Sequence, residues 1–187
     1  MNRQAKVVIF LSCVIVLSLF NLPVLGAEVE LQVGSVAGNV PFSAVTSAED
    51  QKYLGLGNPG AFTLKDIKAP YVLAEVFSTT CPHCMQQAPV LNNLYNLVQK
   101  DAKMKDQLKL VSVGQGNDDT AVKMWKVFHK VPFPVLSDPD QKLGKALKIP
   151  GTPVTVVLDK KGKVVWAHIG AFESADEALK GIKAALK

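Results

Sequence analysis

The sequence predicts an α/β fold, a central mixed β-sheet with helices on both faces, and three observations carry that expectation. Residues 72–77 are apolar on both alternating faces apart from Glu75 and run directly into Cys81-Pro82-His83-Cys84, as a strand buried on both sides does. After Cys84, the apolar positions Ala88, Leu91, Leu94, Tyr95 and Val98 recur at three- and four-residue spacing, which predicts a helix. The strand and helix patterns then repeat over 108–113 and 120–130, and the chain closes with a hairpin turn at Asp159-Lys160-Lys161-Gly162, a strand over 163–169 and a helix over 175–186.

In chain order, residues 1–27 read as an export leader. Arg3 and Lys6 form a basic start, 7–20 an uninterrupted apolar run, and 21–27 a breaker followed by small residues, so that cleavage after Gly26 or Ala27 fits. Extended through Leu25, the run comes close to the roughly 20 residues a spanning helix needs, and an uncleaved anchor over 7–25 is the alternative. Either way the expected location is outside the cytoplasm, in a periplasm or on the outer face of the cytoplasmic membrane. Cys13 reads as an ordinary member of the apolar run. At 187 residues the chain suffices for one well-filled domain. Its net charge of +5 includes Arg3 and Lys6 and no acid from the leader, so the remainder carries +3. The lysines are scattered at helical spacing without interleaved aromatics, which argues against nucleic acid.

Residues 28–33 alternate and predict a short strand. Residues 28–60 form an N-terminal extension; its part over 34–60 is rich in Gly, Pro, Ser and Asn and is expected to hold little regular structure, packing through Val40, Phe42, Val45, Tyr53, Leu54 and Leu56. The domain proper covers 61–187, beginning with a short turn at Leu64 and Ile67. Asp118 or Asp119 caps the helix over 120–130, whose Val122, Trp125, Val127 and Phe128 are expected to face inward, with His129 as a polar residue at its end. Two prolines confine 131–136 to a sheet edge or the entry to a strand, and Asp138 introduces a short helix over 141–147. Trp166 and His168 read as structural residues of the last strand.

The chemistry lies in Cys81 and Cys84. Pro82 stands at the first helical position, where a proline loses no hydrogen bond and has its φ preset, leaving Cys81 at the helix N-terminus. Free N–H groups and partial positive charge favour a thiolate there, and the pKa falls below the free value of about 8.5. Structural zinc needs two further ligands, and Cys13, His129 and His168 form no such pattern. With the leader removed, Cys81 and Cys84 are the remaining cysteines, in a compartment where a disulfide persists. A redox dithiol is the stronger reading.

Residue by residue, this stretch resembles the thioredoxin superfamily: Glu75 six before Cys81, the Cys-x-x-Cys turn, Pro89 five after Cys84, and Thr152-Pro153 directly before an apolar β-branched strand, where such proteins carry a cis-proline facing the pair. Glu-x-Phe-Ser-x-x-Cys-Pro-His-Cys looks most like the active-site run of DsbA-type proteins. The additional helix and strand over 114–135, with the N-terminal extension, make residues 61–187 resemble the redoxin branch, exported thiol-disulfide oxidoreductases of the TlpA/ResA type. Thr80 stands where that branch commonly carries Trp.

The resemblance implies a thioredoxin-like fold and an enzyme exchanging disulfides with exported proteins, served by a membrane electron-transfer partner and needing no cofactor or metal. Cys81 would be the nucleophile and Cys84 the resolving thiol, the two forming the redox-active disulfide. Pro82, Thr152 and Pro153 would bind substrate, the backbone of Thr152 pairing with an extended chain. His83 would stabilise the Cys81 thiolate, and Glu75 would relay a proton to or from Cys84 through water as a buried carboxyl of raised pKa. The His in the turn argues for an oxidant and the redoxin scaffold for a reductant, so the direction of electron flow stays open. Two alternatives stand beside this reading. One is a peroxiredoxin-like thiol peroxidase, whose Pro and Thr positions correspond to Ala74 and Ser78. The other is a copper-binding or delivery module, since thiolates suit Cu(I).

Overall fold

The computed structural model describes residues 31–186. The expected leader, its anchor alternative and Cys13 lie outside the described residues. The elements are α1 (Ala48–Leu54), a 3-10 turn (Leu64–Asp66), β1 (Tyr71–Phe77), α2 (Pro82–Lys100), α3 (Met104–Gln107) and β2 (Leu108–Gln115). They continue with α4 (Asp119–Phe128), β3 (Val135–Asp138), α5 (Lys142–Leu147), β4 (Val154–Asp159), β5 (Val164–Ile169) and α6 (Ala175–Ala185). No helix among the described residues is long and apolar enough to cross a membrane.

The sheet order is β3-β2-β1-β4-β5. β1 runs parallel to β2 and antiparallel to β4, and β5 returns antiparallel to β4, so the sheet is mixed, as expected. β1 is central because its sequence is apolar on both faces. Val72, Ala74 and Val76 enter a core with the N-terminal segment and α5, whereas Leu73 and Phe77 enter one with α2, α4 and α6. Glu75 shares the second face, opposite Ser112 on β2 and Thr155 on β4.

All six apolar points of the extension pack on the first core, Tyr53 reaching the second as well, and Phe42 and Leu54 are buried. The extension is more regular than expected. Ser47 accepts from Asp50 N–H and caps α1, which Gly55 ends in the left-handed conformation. The strand expected over 28–33 is not formed in its described part: 31–33 lead into a turn at Gly34 (φ +104°) held by Ser35 N–H to Gln32 carbonyl. The expected inward side of α4 is half right. Val122 and Trp125 are buried, but Val127 and Phe128 are 79% and 80% exposed, because Trp125 already fills the space against Phe77 (ring centroids 4.6 Å apart). The edge strand begins at Val135, after both prolines, and Asp138 starts α5 by accepting from the N–H groups of Lys142 and Leu143.

Candidate active site at the Cys81-Cys84 turn

Cys81 is the N-cap of the 19-residue α2, Pro82 its first residue, and Pro89 lies within it. The sulfur sits where the backbone N–H groups of His83 and Cys84 lack helical partners, Pro82 having no N–H. Across the turn the Thr152-Pro153 bond is cis, and as a thiol Cys81 donates from Sγ to the Thr152 carbonyl at 3.3 Å. Both cysteines are free thiols, Cys81 partly exposed and Cys84 buried.

The two sulfurs occupy opposed environments. Partial burial pushes the Cys81 thiol up, but contacts with the Cys84 and Thr152 side chains and with the N–H groups of Cys84 and His83 outweigh it, holding Cys81 below the ordinary thiol value. For Cys84, burial, the contact with Cys81 and the negative charge of Glu75 push the thiol up to about 12, against the Ser78 backbone and the Thr152 side chain. The ring of His83 is exposed. What reaches Cys81 from this residue is its backbone N–H.

Glu75 lies on the central strand behind Cys84, 2% exposed. Its Oε1 accepts from Gln87 Nε2 at 2.8 Å and its Oε2 from the Ser112 hydroxyl at 2.5 Å. Burial raises its pKa to about 7 despite those two bonds. Gln87 is fully buried and also accepts from Phe172 N–H at 3.0 Å. Sequence reasoning passed over Gln87 and Ser112. The signal was present for both: Gln87 interrupts the stripe that continues through Leu91 and Leu94, and Ser112 interrupts an apolar strand. Asn117 was missed as well. It binds Thr79 twice, accepting from its N–H and donating to its hydroxyl, each at 3.0 Å, and so ties the β2–α4 loop to the Cys81 turn. Gly114 permits that approach, because a Cβ there would lie 2.6 Å from Val122 Cγ1 and 3.1 Å from Asn117 Cβ.

Beside the turn, Met85, Met124 and Phe128 expose apolar surface in an open groove that Thr79 and Trp125 also line. The Ser78 hydroxyl is engaged with Thr80 at 3.2 Å. Among the described residues no group of three or more His, Cys, Asp or Glu is arranged to hold a metal ion.

The redoxin family profile matches residues 37–186. The chain belongs to the redoxin family. Among its relatives, the thiol-disulfide oxidoreductase ResA of Bacillus anthracis is 29% identical over 153 residues, spanning 81% of this chain and 77% of ResA. The same-named protein of Bacillus subtilis strain 168 is 27% identical over 109 residues, 58% of each chain. A Chlorobium tepidum structure described as a thiol:disulfide interchange protein DsbE superposes with a TM-score of 0.60 at 25% identity, covering 84% of this chain and all of that one. StoA of Bacillus subtilis, at 20% identity and a TM-score of 0.57, covers 78% of this redoxin and 98% of StoA, and shares the fold.

Proposed function

We propose that this redoxin is a thiol-disulfide oxidoreductase that exchanges disulfides with protein thiols through Cys81 and Cys84. The observation that carries the reading is the opposed pair of sulfurs: one held below the ordinary thiol range at a helix N-terminus beside a cis-proline loop, the other buried and held at about 12 with a carboxyl behind it. The names of its relatives, thiol-disulfide oxidoreductase ResA among them, support it.

In the reducing direction the Cys81 thiolate attacks a substrate disulfide R–S–S–R′, forming Cys81–S–S–R and releasing R′–S⁻. Cys84 then gives its proton, through water, to the Glu75 carboxylate and attacks Cys81 Sγ. The Cys81–S–R bond breaks, the Cys81–Cys84 disulfide forms, and R–S⁻ leaves. Run backwards, the same steps oxidise a dithiol. Thr152 and Pro153 would align an extended substrate chain, the Thr152 carbonyl being free to pair once Cys81 ionises. Pro82 and the exposed His83 ring would meet that chain from the helix side. Burial holds the Cys84 thiol up, and a carboxyl of pKa about 7 behind it is the base that resolution calls for. The leader supports action outside the cytoplasm, in a periplasm or at the membrane's outer face, with a membrane electron-transfer partner renewing the pair.

Equilibration in glutathione buffers tests the reading. One two-electron transition is expected, absent in Cys81→Ser. A potential near −120 mV makes the protein an oxidant and one near −270 mV a reductant, both on the scale of known oxidoreductases. No transition in the unmodified protein overturns the proposal and brings Cu(I) binding forward.

A further inference from the structure

We infer that Gln87 is the positioning residue of this site, holding Glu75 so that the relayed proton resides on Oε2, in the hydrogen bond with Ser112, and never on Oε1. This rests on the proposed role of Glu75 and deepens it.

The chain of constraint starts at Phe172. A backbone N–H can only donate, so its 3.0 Å contact identifies the Gln87 atom there as the amide oxygen. The planar amide then turns its NH₂ towards Glu75 Oε1, 2.8 Å away. An amide nitrogen does not accept. A proton on Oε1 directed at Gln87 would set two donors against each other, and neither residue has solvent to turn to, being 0% and 2% exposed.

At Oε2 the partner is a hydroxyl, which both donates and accepts. With Glu75 ionised, Ser112 donates to Oε2 across 2.5 Å. With Glu75 protonated, the hydroxyl rotates and its oxygen accepts from Oε2–H. One proton is added, and both hydrogen bonds survive with only Ser112 reversing direction. Gln87 thus divides the carboxyl into a fixed acceptor and a proton-carrying oxygen.

The groups facing Glu75 are consistent with this division. α2 brings Cys84, the thiol that feels the Glu75 charge. β2 and β4 bring Ser112 and Thr155, and β5 brings His168, which pairs with Thr155 and is thus two strands away. Among the described residues, no Lys, Arg or His forms an ion pair with Glu75.

Infrared difference spectra of the reduced protein between pH 5 and pH 9 test the assignment. A protonated-carboxyl C=O band is expected in the unmodified protein and absent in Glu75→Gln. Because that C=O is Oε1, Gln87→Met removes its donor. The band then moves to higher wavenumber, by more than in Ser112→Ala, and the midpoint rises by about one to two pH units, the worth of one hydrogen bond to a charged group. An equal or larger band shift in Ser112→Ala, or no shift in Gln87→Met, overturns the inference.

Should Gln87→Met fail to fold, nitrogen-edited NMR of the unmodified protein decides. The Gln87 NH₂ and Phe172 N–H resonances are expected to follow the Glu75 midpoint, and flat resonances overturn the inference. A band that persists in Glu75→Gln refutes the role of Glu75 and this placement with it. Failure of disulfide exchange with the band intact refutes the oxidoreductase reading instead, so the two failures separate.

Discussion

The two faces of the sheet are built by the same strands and do different work. The face under the N-terminal segment and α5 is lined by Val72, Ala74, Val76, Val111, Val113, Val154 and Val156, with polar side chains only towards its α5 end, where Gln115 packs against Gly144 and Asp138 caps the helix. The face under α2 and α6 has Leu73, Phe77, Leu110 and Val157, and among them lie Glu75, Ser112, Thr155, Gln87 and Cys84, all buried. Buried polar groups cost free energy unless paired. One face supplies stability, and the other gives up part of it to hold a carboxyl poised near neutral pH behind a thiol.

The sharpest separation comes from one substitution on each side. Cys81→Ser is expected to abolish disulfide exchange in an insulin-reduction assay with little change in stability. Leu54→Ala, on the apolar face and 0% exposed, is expected to cost about 2–5 kcal/mol by cavity formation while exchange per folded molecule is unchanged. Urea unfolding and the same assay check both. Loss of exchange in folded Leu54→Ala protein would break the division between the faces.

Glu75 gives the next effect. Folded, it holds its proton to about pH 7, whereas the unfolded chain releases it near 4.5. The folded state therefore binds more protons between those values, and stability is greatest below 4.5 and falls as the pH rises to 7. The loss is at most about 3 kcal/mol. Glu75→Gln is expected to remove this slope and to be the more stable protein at pH 8 in urea melts, yet to resolve mixed disulfides at least tenfold more slowly in stopped-flow traces. A slope that survives the substitution would assign it to another group.

Iodoacetamide alkylation against pH separates the two sulfurs. Cys81 is expected to label with a midpoint below the ordinary thiol value, and Cys84 to resist labelling up to pH 10 in the folded protein. The smallest expected effect is that of Asn117→Ala, which removes both bonds to Thr79 and should cost about 1–2 kcal/mol, with faster amide exchange at Thr79 and Thr80 while β1 stays protected.

Much of this was legible in the sequence for a physical reason: strand, helix and turn patterns are local. The strand–Cys-x-x-Cys–helix run, the edge position after Pro132 and Pro134, and the Asp159–Gly162 hairpin each follow from a few consecutive residues. The inward side of α4 was half legible because Val127 and Phe128 look apolar whichever way they point. Only packing reveals that Trp125 occupies the space beside Phe77 and leaves Phe128 at the surface.

The sequence by itself determined an α/β chain with a dithiol at a helix N-terminus, since propensity, capping and the two-residue period act over short distances. The tertiary structure alone decided which groups meet that dithiol. The Thr152 carbonyl comes from 71 residues away, Ser112 from 37 beyond Glu75, and Phe172 reaches Gln87 across 85. Those contacts exist because β2 and β4 pair on either side of β1 and α6 folds back onto α2. A hydrogen bond specifies distance and direction in space, so the sequence can mark Gln87 and Ser112 as polar residues in apolar patterns but not the partners they meet.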